Sequence, residues 1–228
     1  KQADHNLHCI DTIPMSATPF LDKLETAEKT CGLFLFRHYL DDVERTNAFE
    51  IFNSDVFPWD LNPKLYGASL EQHAYYFDRE AKEKKTNNNS SLEFLDDLCQ
   101  RIETDFDINK IYGVYCNRFQ DSTHNLPWHK DTYGSHIFVL SLGAQRKVEW
   151  RENKTKALDS VTPESGDMYF MPLGLNKTHM HRVCAGEEGA GTRISFVFFF
   201  KAPKYAKEYK ISFMDKVVGF VEDALSGA

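Results

Sequence analysis

The segment R-I-S-F-V-F-F-F, residues Arg193–Phe200, has the residue types of a β-strand and alternates between two different faces. Successive side chains of a strand point to opposite sides of a sheet. One face is entirely apolar and consists of Ile194, Phe196, Phe198 and Phe200. The other face consists of Arg193, Ser195, Val197 and Phe199. Because apolar residues occur on both faces, we expect both sides of this strand to be covered by other layers of the domain.

Five more short β-rich segments precede this strand. They are Ile111–Phe119, His136–Leu142, Lys147–Arg151, Gly166–Met171 and His179–Cys184. Turn-forming residues separate them, as in Gly134-Ser135 and Pro163–Gly166. Many short strands at close intervals are typical of a β-sandwich or a β-barrel.

Helices are predicted on both sides of this β-rich region. Thr18-Pro19 is typical of a helix start, with the helix running to about Thr30. Asp41-Asp42 opens a second helix, and Ser91 precedes a third, in which apolar residues recur every three or four positions. A last apolar stripe predicts a helix within Lys204–Leu225. The predicted architecture is α+β, with helices packed on a β-sandwich.

The remaining segments before the β-rich region are assigned more coarsely. We expect a strand at Cys31–Tyr39, and irregular structure or a hairpin in the aromatic-rich segment Phe57–Phe77. The polar run Lys82–Ser91 is expected to form an exposed loop. We expect one domain over residues 1–228: a helical and lid region about 1–110, a β-core about 111–201 and a C-terminal helix about 204–226.

Composition limits the class of protein. The chain has 228 residues, 42% hydrophobic and 27% charged, which suits one large domain and excludes disordered and fibrous classes. The net charge of −7 does not favour a nucleic-acid partner, and no apolar run is long enough to predict a membrane span. The five scattered cysteines include no C-x-x-C pair, so we expect a reducing, intracellular and cytoplasmic location. The first residue is Lys1, from which we expect a trimmed or processed start.

Two histidine-containing motifs are candidates for metal binding. His129-Lys130-Asp131 is the only H-x-D in the chain, and His179-Met180-His181 follows about fifty residues later. Two imidazoles and one carboxylate form the ligand set of non-haem Fe(II) oxygenases. Residues i and i+2 of a strand share a face, so His129 and Asp131 can reach one ion, but the same rule leaves His179 and His181 both open as the third ligand. The alternative is that these residues are ordinary half-buried polar side chains and that Asp131 forms a turn.

Arg193 suggests the second half of such a site. A buried guanidinium needs a carboxylate partner, because an unpaired buried charge is very costly. The far carboxylate of a dicarboxylate cosubstrate could accept two hydrogen bonds from Arg193 and one from the Ser195 hydroxyl. A structural ion pair with an Asp or Glu of the chain is the alternative.

From about Tyr112 to Phe200 the sequence resembles the AlkB-like branch of the Fe(II)/2-oxoglutarate dioxygenases. The matching motifs, in the family's order and spacing, are C-N-R-F (116–119), P-W-H-K-D (127–131), L-S-L-G (140–143), S-G-D-M-Y-F-M (165–171), M-H-R-V (180–183) and R-I-S-F-V-F (193–198). The upstream Pro63–Gly67 and Tyr75-Tyr76 resemble the family's substrate-covering lid more weakly. The resemblance implies a double-stranded β-helix, or jelly-roll, core with flanking helices.

The resemblance also implies the cofactors and the residues of the site. Fe(II) would be bound by His129, Asp131 and His181, with His179 the alternative to His181. The cosubstrate 2-oxoglutarate would be bound by Asn117, Arg193 and Ser195. Substrate contacts would come from Tyr66, Tyr115, Phe119 and Phe199.

Two positions depart from the family pattern, and both concern the cosubstrate. Phe119 stands where the AlkB-like branch usually has a tyrosine, so one hydroxyl donor is lost. Phe199 stands where the branch has a second arginine. Because strand alternation still points Phe199 inward, we expect a more apolar pocket near the iron than in the nucleic-acid demethylases of the family.

Three functions follow as expectations. The first is oxidation of a C–H bond of a small-molecule or peptide substrate, with release of succinate and CO2; the acidic charge and the two phenylalanines favour it. The second is oxidative demethylation of nucleic-acid bases, with Trp59, Tyr66, Tyr75 and Tyr76 stacking a flipped base and Lys82, Lys84 and Lys85 contacting phosphate. The third is a non-catalytic binding module of the same fold.

Overall fold

The strands of the C-terminal half build two antiparallel sheets that face each other. The computed structural model describes residues 7–10, 32–65, 67–79, 90–131 and 135–201. The strands are β1 Leu7–Ile10, β2 Leu33–Phe36, β3 Lys64–Leu65, β4 Ala68–Ser69, β5 His73–Asp78, β6 Ile111–Phe119, β7 Leu126–His129, β8 Ser135–Gly143, β9 Val148–Glu152, β10 Leu158–Val161, β11 Met168–Met171, β12 His179–Val183 and β13 Arg193–Lys201. The helices are α1 Asp42–Phe52, α2 Ser90–Phe106 and α3 Leu173–Thr178.

The larger sheet has the strand order β1-β2-β11-β8-β13-β6-β5, and the smaller has β10-β9-β12-β7. All neighbours are antiparallel except β1 and β2, which run parallel. The short strands β3 and β4 pair only with each other. Two facing, mostly antiparallel sheets with few helices form the jelly-roll core predicted from the sequence.

The two faces of β13 are buried in different layers, as its alternation predicts. Phe196, Phe198 and Phe200 lie in a core with residues of α1 and α2, where the rings of Phe52 and Phe196 are 4.7 Å apart. On the opposite face, Phe199 lies in a second core between the sheets, together with Val148, Trp150 and Val183 of the smaller sheet. Arg193 and Ser195 therefore point into the space between the two sheets.

The two predicted helices that the structure describes start near the expected positions. The Asp41 side chain accepts hydrogen bonds from the Val43 and Glu44 backbone N–H groups, and Glu44 in turn accepts from the Asp41 N–H, so α1 begins with a capping box. Helix α2 begins at Ser90, one residue before the predicted cap, and buries its apolar stripe against the larger sheet.

Five elements differ from the sequence expectations. The segment Phe57–Phe77 was expected to be irregular or a hairpin, and it contains the antiparallel pair β3–β4, but its end also forms β5, which joins the edge of the larger sheet beside β6. Strands β7 and β10 and helix α3 were not expected at all. The strand expected over Cys31–Tyr39 is only Leu33–Phe36, because the chain turns at His38, whose φ is 52°. The helices predicted at 18–30 and 204–226, the loop 82–89 and Tyr66 lie outside the described residues.

The single-domain assignment stays a prediction. Within the residues that the structure describes, no helix is both long enough and apolar enough to cross a membrane.

Candidate active site

Three candidate metal ligands lie together at one end of the smaller sheet. His129 ends β7 and is paired with His181 of the neighbouring β12. Asp131 follows two residues after His129, and one ligand atom from each of the three lies within 4.8 Å of the others. Asp131 Oδ2 is 3.1 Å from His181 Nε2, and Asp131 Oδ1 is 3.8 Å from His129 Nε2. The same three residues were selected from the sequence.

The surroundings of these side chains favour the protonation states that bind metal. His129 Nδ1 donates to the Pro127 carbonyl oxygen at 2.7 Å, which leaves Nε2 toward the cluster. Burial, and then the nearby His181, lower the pKa of His129 to about 4. Burial by itself would raise the pKa of Asp131, but His181 and His129 outweigh it and lower that pKa. A neutral imidazole and an ionised carboxylate are the forms that coordinate a cation.

A buried asparagine fixes the backbone of Asp131. Asn176, in helix α3, accepts a hydrogen bond from the Asp131 N–H at 3.0 Å through Oδ1 and donates one to the Asp131 carbonyl oxygen at 3.2 Å through Nδ2. The Lys130 ammonium also donates to the carbonyl of Lys177 in the same helix, at 3.1 Å. Asp131 lies beyond the end of β7, so α3 holds the ligand where the ladder no longer does.

His179 is not part of this cluster. It is the C-cap residue of α3, is only partly buried, and its Nδ1 lies 2.8 Å from the Thr178 hydroxyl. Strand periodicity left His179 and His181 both open, and the geometry favours His181 as the third candidate ligand.

Arg193 is 1% exposed and lies in the same cavity as the three candidate ligands. Its Nη2 donates to the Ser141 hydroxyl at 2.9 Å, whereas its Nε and Nη1 are buried with no partner. No carboxylate of the described residues pairs with it, so the alternative of a structural ion pair has no support there. Burial lowers the pKa of Arg193 to about 10, and the neighbouring Tyr169 opposes this shift.

Asn117 and Ser195 are directly paired across the β6–β13 ladder. Ser195 is two residues after Arg193 and therefore lies on the same face of β13. Both are buried and both line the cavity. The side-chain oxygen of Asn117 has no hydrogen-bond partner. The Asn117 NH2 group and the Ser195 hydroxyl add hydrogen-bond donors to the wall of the cavity that Arg193 also lines, and a carboxylate could accept from them.

The cavity has a volume of about 390 Å³ and joins the candidate metal ligands to Arg193. Of the predicted substrate contacts, Tyr115 and Phe199 line it. Phe119 is wholly buried and does not line it; its ring lies under the Arg193 guanidinium, 5.4 Å from the central carbon. Tyr66 lies outside the described residues. The inward Phe199 and the apolar walls formed by Leu126, Val139, Val183 and Val197 agree with the expected apolar pocket.

Sequence reasoning missed four residues of this region. They are Gln72, Ser141, Tyr169 and Asn176. For Ser141 and Tyr169 a signal existed, since each occupies an inward position of its strand: Ser141 is paired with Ser195, and Tyr169 is paired with Val139. Asn176 lies in helix α3 and Gln72 directly precedes β5. Neither residue is in a strand, so the alternation of strand side chains gives no information about them.

The residues present fit an iron ion and a dicarboxylate. Two nitrogen donors and one carboxylate, close together in a polar corner of an otherwise apolar cavity, form a set that binds Fe(II) and leaves other coordination positions open. Arg193 keeps N–H donors at Nε and Nη1 without a partner, and a carboxylate is the group that accepts most strongly from a guanidinium.

Solved structures of known oxygenases share this fold. A prolyl hydroxylase from Trichoplax adhaerens, in complex with a hypoxia inducible factor peptide fragment, has a TM-score of 0.63 at 10% identity, covering 82% of this chain and 91% of that one. A prolyl-4-hydroxylase of Pseudomonas putida has a TM-score of 0.55 at 16% identity, covering 82% of this chain and 100% of that one. A 2OG-Fe(II) oxygenase family oxidoreductase of Burkholderia pseudomallei has a TM-score of 0.56 at 14% identity, covering 86% of this chain and 95% of that one.

A curated relative matches a shorter segment. It is the RNA-directed RNA polymerase of Lolium latent virus, 35% identical over 74 residues, which are 32% of this chain. The matched segment spans only 4% of the length of that polymerase.

The family match covers the cavity itself. Residues 110–202 match the family described as the 2OG-Fe(II) oxygenase superfamily. That range contains the three candidate ligands and Arg193, and a cofactor pair of Fe(II) and 2-oxoglutarate follows from it. Residues 110–202 of this chain therefore form a 2OG-Fe(II) oxygenase superfamily domain.

Proposed function

We propose that the chain binds Fe(II) through His129, Asp131 and His181 and 2-oxoglutarate through Arg193, and that it oxidises a C–H bond of a peptide or small-molecule substrate. One observation carries the proposal: a compact, buried His-Asp-His cluster shares one cavity with a buried arginine that has two unpaired N–H groups. Either feature alone has structural explanations, but together they offer sites for the two cofactors of one reaction.

Each residue has a distinct part in this proposal. When bound, Fe(II) and 2-oxoglutarate supply the oxidant that breaks the C–H bond, with release of succinate and CO2. The imidazoles of His129 and His181 donate Nε2 lone pairs, and Asp131 contributes the negative charge. Arg193, supported by Ser141, fixes the far carboxylate of the cosubstrate and thus its orientation. The side chains of Val197 and Phe199 keep water away from the reacting centre.

The charge around the cavity supports a peptide or small molecule as the substrate. Asp60 and Lys64 line the cavity and are both exposed, so opposite charges meet where the wall reaches solvent. The net charge of the whole chain is −7. A groove that tracks a phosphate backbone would instead need an excess of lysine and arginine. The Trichoplax prolyl hydroxylase of the same fold is a protein in complex with a peptide.

A second candidate function is oxidative demethylation of nucleic-acid bases, which would place the chain in the AlkB-like branch. The motif resemblance favours it, and so does the 74-residue match to a viral polymerase that is RNA-directed. Tyr75 and Tyr76 line the cavity and are aromatic groups on which a base could stack.

The test separates the two candidates. The chain is titrated with 2-oxoglutarate under anaerobic conditions in the presence of Fe(II), and succinate release is then measured with a peptide library, a metabolite library and methylated single-stranded oligonucleotides. We expect Fe(II)-dependent binding of 2-oxoglutarate and succinate release stimulated by peptides or metabolites. Stimulation by oligonucleotides alone would favour the demethylase. Absence of both 2-oxoglutarate binding and succinate release would leave a non-catalytic binding module.

A further inference from the structure

Gln72 is a buried amide without a partner in the wall of the cavity. Its side chain is 0% exposed, and neither Oε1 nor Nε2 makes a hydrogen bond. Among the described residues, it is the only side-chain amide for which both polar atoms are buried and unpaired. Buried polar groups are almost always hydrogen-bonded, because leaving a donor and an acceptor unpaired is unfavourable. This arrangement therefore indicates a partner that comes from outside the chain.

The backbone on both sides of Gln72 is held in place. On one side, the Leu70 backbone N–H donates to the Pro63 carbonyl oxygen at 2.8 Å. On the other, Ala74 exchanges backbone hydrogen bonds of 2.7 and 3.0 Å with Asp60. Gln72 is thus fixed just before β5, and its amide cannot easily turn away to water. A fixed and unsatisfied amide is a preorganised recognition group.

The amide group determines the chemistry of its partner. It presents one acceptor and one pair of donor hydrogens in a single plane. A complementary ligand offers an N–H to the amide oxygen or a C=O to the amide NH2, and a peptide backbone carries both kinds of group. Gln72 lines the same cavity as the His129–Asp131–His181 cluster, so a group bound to it lies in the space where a substrate would approach the metal.

We propose that Gln72 binds an amide group of the substrate and so determines specificity for a peptide-type substrate. The inference rests on the proposed function of this cavity and adds the chemical class that the cavity selects. The neighbouring charges favour a peptide over a nucleic acid: Glu71 adjoins Gln72, Asp60 pairs with the start of β5, and the only lysine among the described residues lining the cavity is Lys64.

The experiment detects Gln72 directly by NMR. The full chain is labelled with 15N-glutamine and loaded with Zn(II) and 2-oxoglutarate, and its side-chain NH2 signals are recorded during titrations with N-methylacetamide, N,N-dimethylacetamide and uridine. The signal that disappears in Gln72→Met is that of Gln72, and Gln72→Glu gives the same assignment if the first variant does not fold. Gln100, which lies on the exposed face of α2 and contacts Asp96, is the internal control.

We expect a saturable shift of the Gln72 signal with N-methylacetamide and binding about tenfold weaker for N,N-dimethylacetamide, which lacks the N–H group. The Gln100 signal should not move. The inference is overturned if no probe shifts the Gln72 signal, or if only uridine does, since uridine would indicate a nucleobase. Binding of 2-oxoglutarate to the wild-type chain is measured first. If 2-oxoglutarate does not bind, the proposed function is contradicted. If 2-oxoglutarate binds but the Gln72 signal does not respond to the probes, only the role of Gln72 is contradicted.

Discussion

His129 and His181 are paired directly across the β7–β12 ladder, and their imidazole centroids are 4.1 Å apart. Directly opposed residues of neighbouring strands point to the same face of a sheet, so strand register alone brings the two rings together. A slip of one residue would turn one imidazole to the outer face of the smaller sheet. The candidate metal centre is therefore a property of the pairing of β7 with β12.

This geometry predicts different roles for His181 and His179. We expect His181→Ala to lower the affinity for Fe(II) more than about 100-fold, beyond what loss of an outer partner of a ligand usually costs. His179→Ala is the matched control, because His179 contacts Thr178 outside the cluster. Anaerobic calorimetric titration with Fe(II) measures both, and circular dichroism checks the fold. Loss of metal in His179→Ala, with retention in His181→Ala, would contradict the arrangement.

The interior strands could be predicted from the sequence because their information is local. Arg193 and Phe199 lie on the inward face of β13, as alternation predicts, and the bounds expected for β6 are those observed. Strand β7 was not predicted, and it contains Pro127, a residue type that is uncommon within strands. Pro127 is tolerated there because β7 is an edge strand of the smaller sheet, so one side of its backbone needs no hydrogen-bond partner from another strand.

Contacts across long stretches of chain could not be predicted. Asn176 is bonded to Asp131, 45 residues away, and its helix α3 has only six residues, too short for a helical pattern to be recognised. Gln72 shows its significance only through partners that it lacks, and no sequence pattern reports an unpaired atom. The cluster of ligands was accessible from its motifs, but what holds and surrounds it depends on tertiary structure.

Arg193 should stabilise the cosubstrate complex at the expense of the free protein. We expect Arg193→Met to raise the dissociation constant of 2-oxoglutarate at least about 30-fold, since loss of a buried charge partner costs about 2 kcal/mol or more. In the absence of 2-oxoglutarate, the same variant should raise the free energy of unfolding, because two unpaired buried N–H groups are removed. Calorimetric titration and denaturant unfolding measure the two effects.

Arg151→Met is the matched control for this prediction. Arg151 stacks on the Trp128 ring at 4.6 Å and is not among the residues that line the cavity. Its replacement should leave the affinity for 2-oxoglutarate unchanged. Equal affinity in wild type and Arg193→Met would mean that the cosubstrate carboxylate binds elsewhere.

Tyr169, in β11, places a phenol hydroxyl near Arg193. The hydroxyl that is absent at Phe119, in β6, is thus available from another strand. The Tyr169 and Arg193 side chains both line the cavity, and burial raises the pKa of Tyr169 to about 12, so the hydroxyl stays protonated at neutral pH. We expect Tyr169→Phe to weaken 2-oxoglutarate binding about five- to tenfold, the value of one neutral hydrogen bond. Tyr39→Phe, which removes a hydroxyl bonded to Asp105 in the other core, should not change it. Equal losses in both variants would indicate a general effect on stability.

Asn176 should control metal affinity without touching the metal or the cosubstrate. Asn176→Ala removes both hydrogen bonds to the backbone of Asp131, so the carboxylate is no longer held opposite the imidazoles. We expect Fe(II) affinity to fall about 10- to 100-fold, the range for loss of an outer partner of a metal ligand. Because Arg193 lies on another sheet, 2-oxoglutarate binding to Zn(II)-saturated protein should change much less. The control is Asn153→Ala, since the Asn153 side chain donates to the Lys177 carbonyl near the same helix end and not to Asp131. If Asn176→Ala weakened both ligands equally, Asn176 would have a general structural role and would not specifically position Asp131.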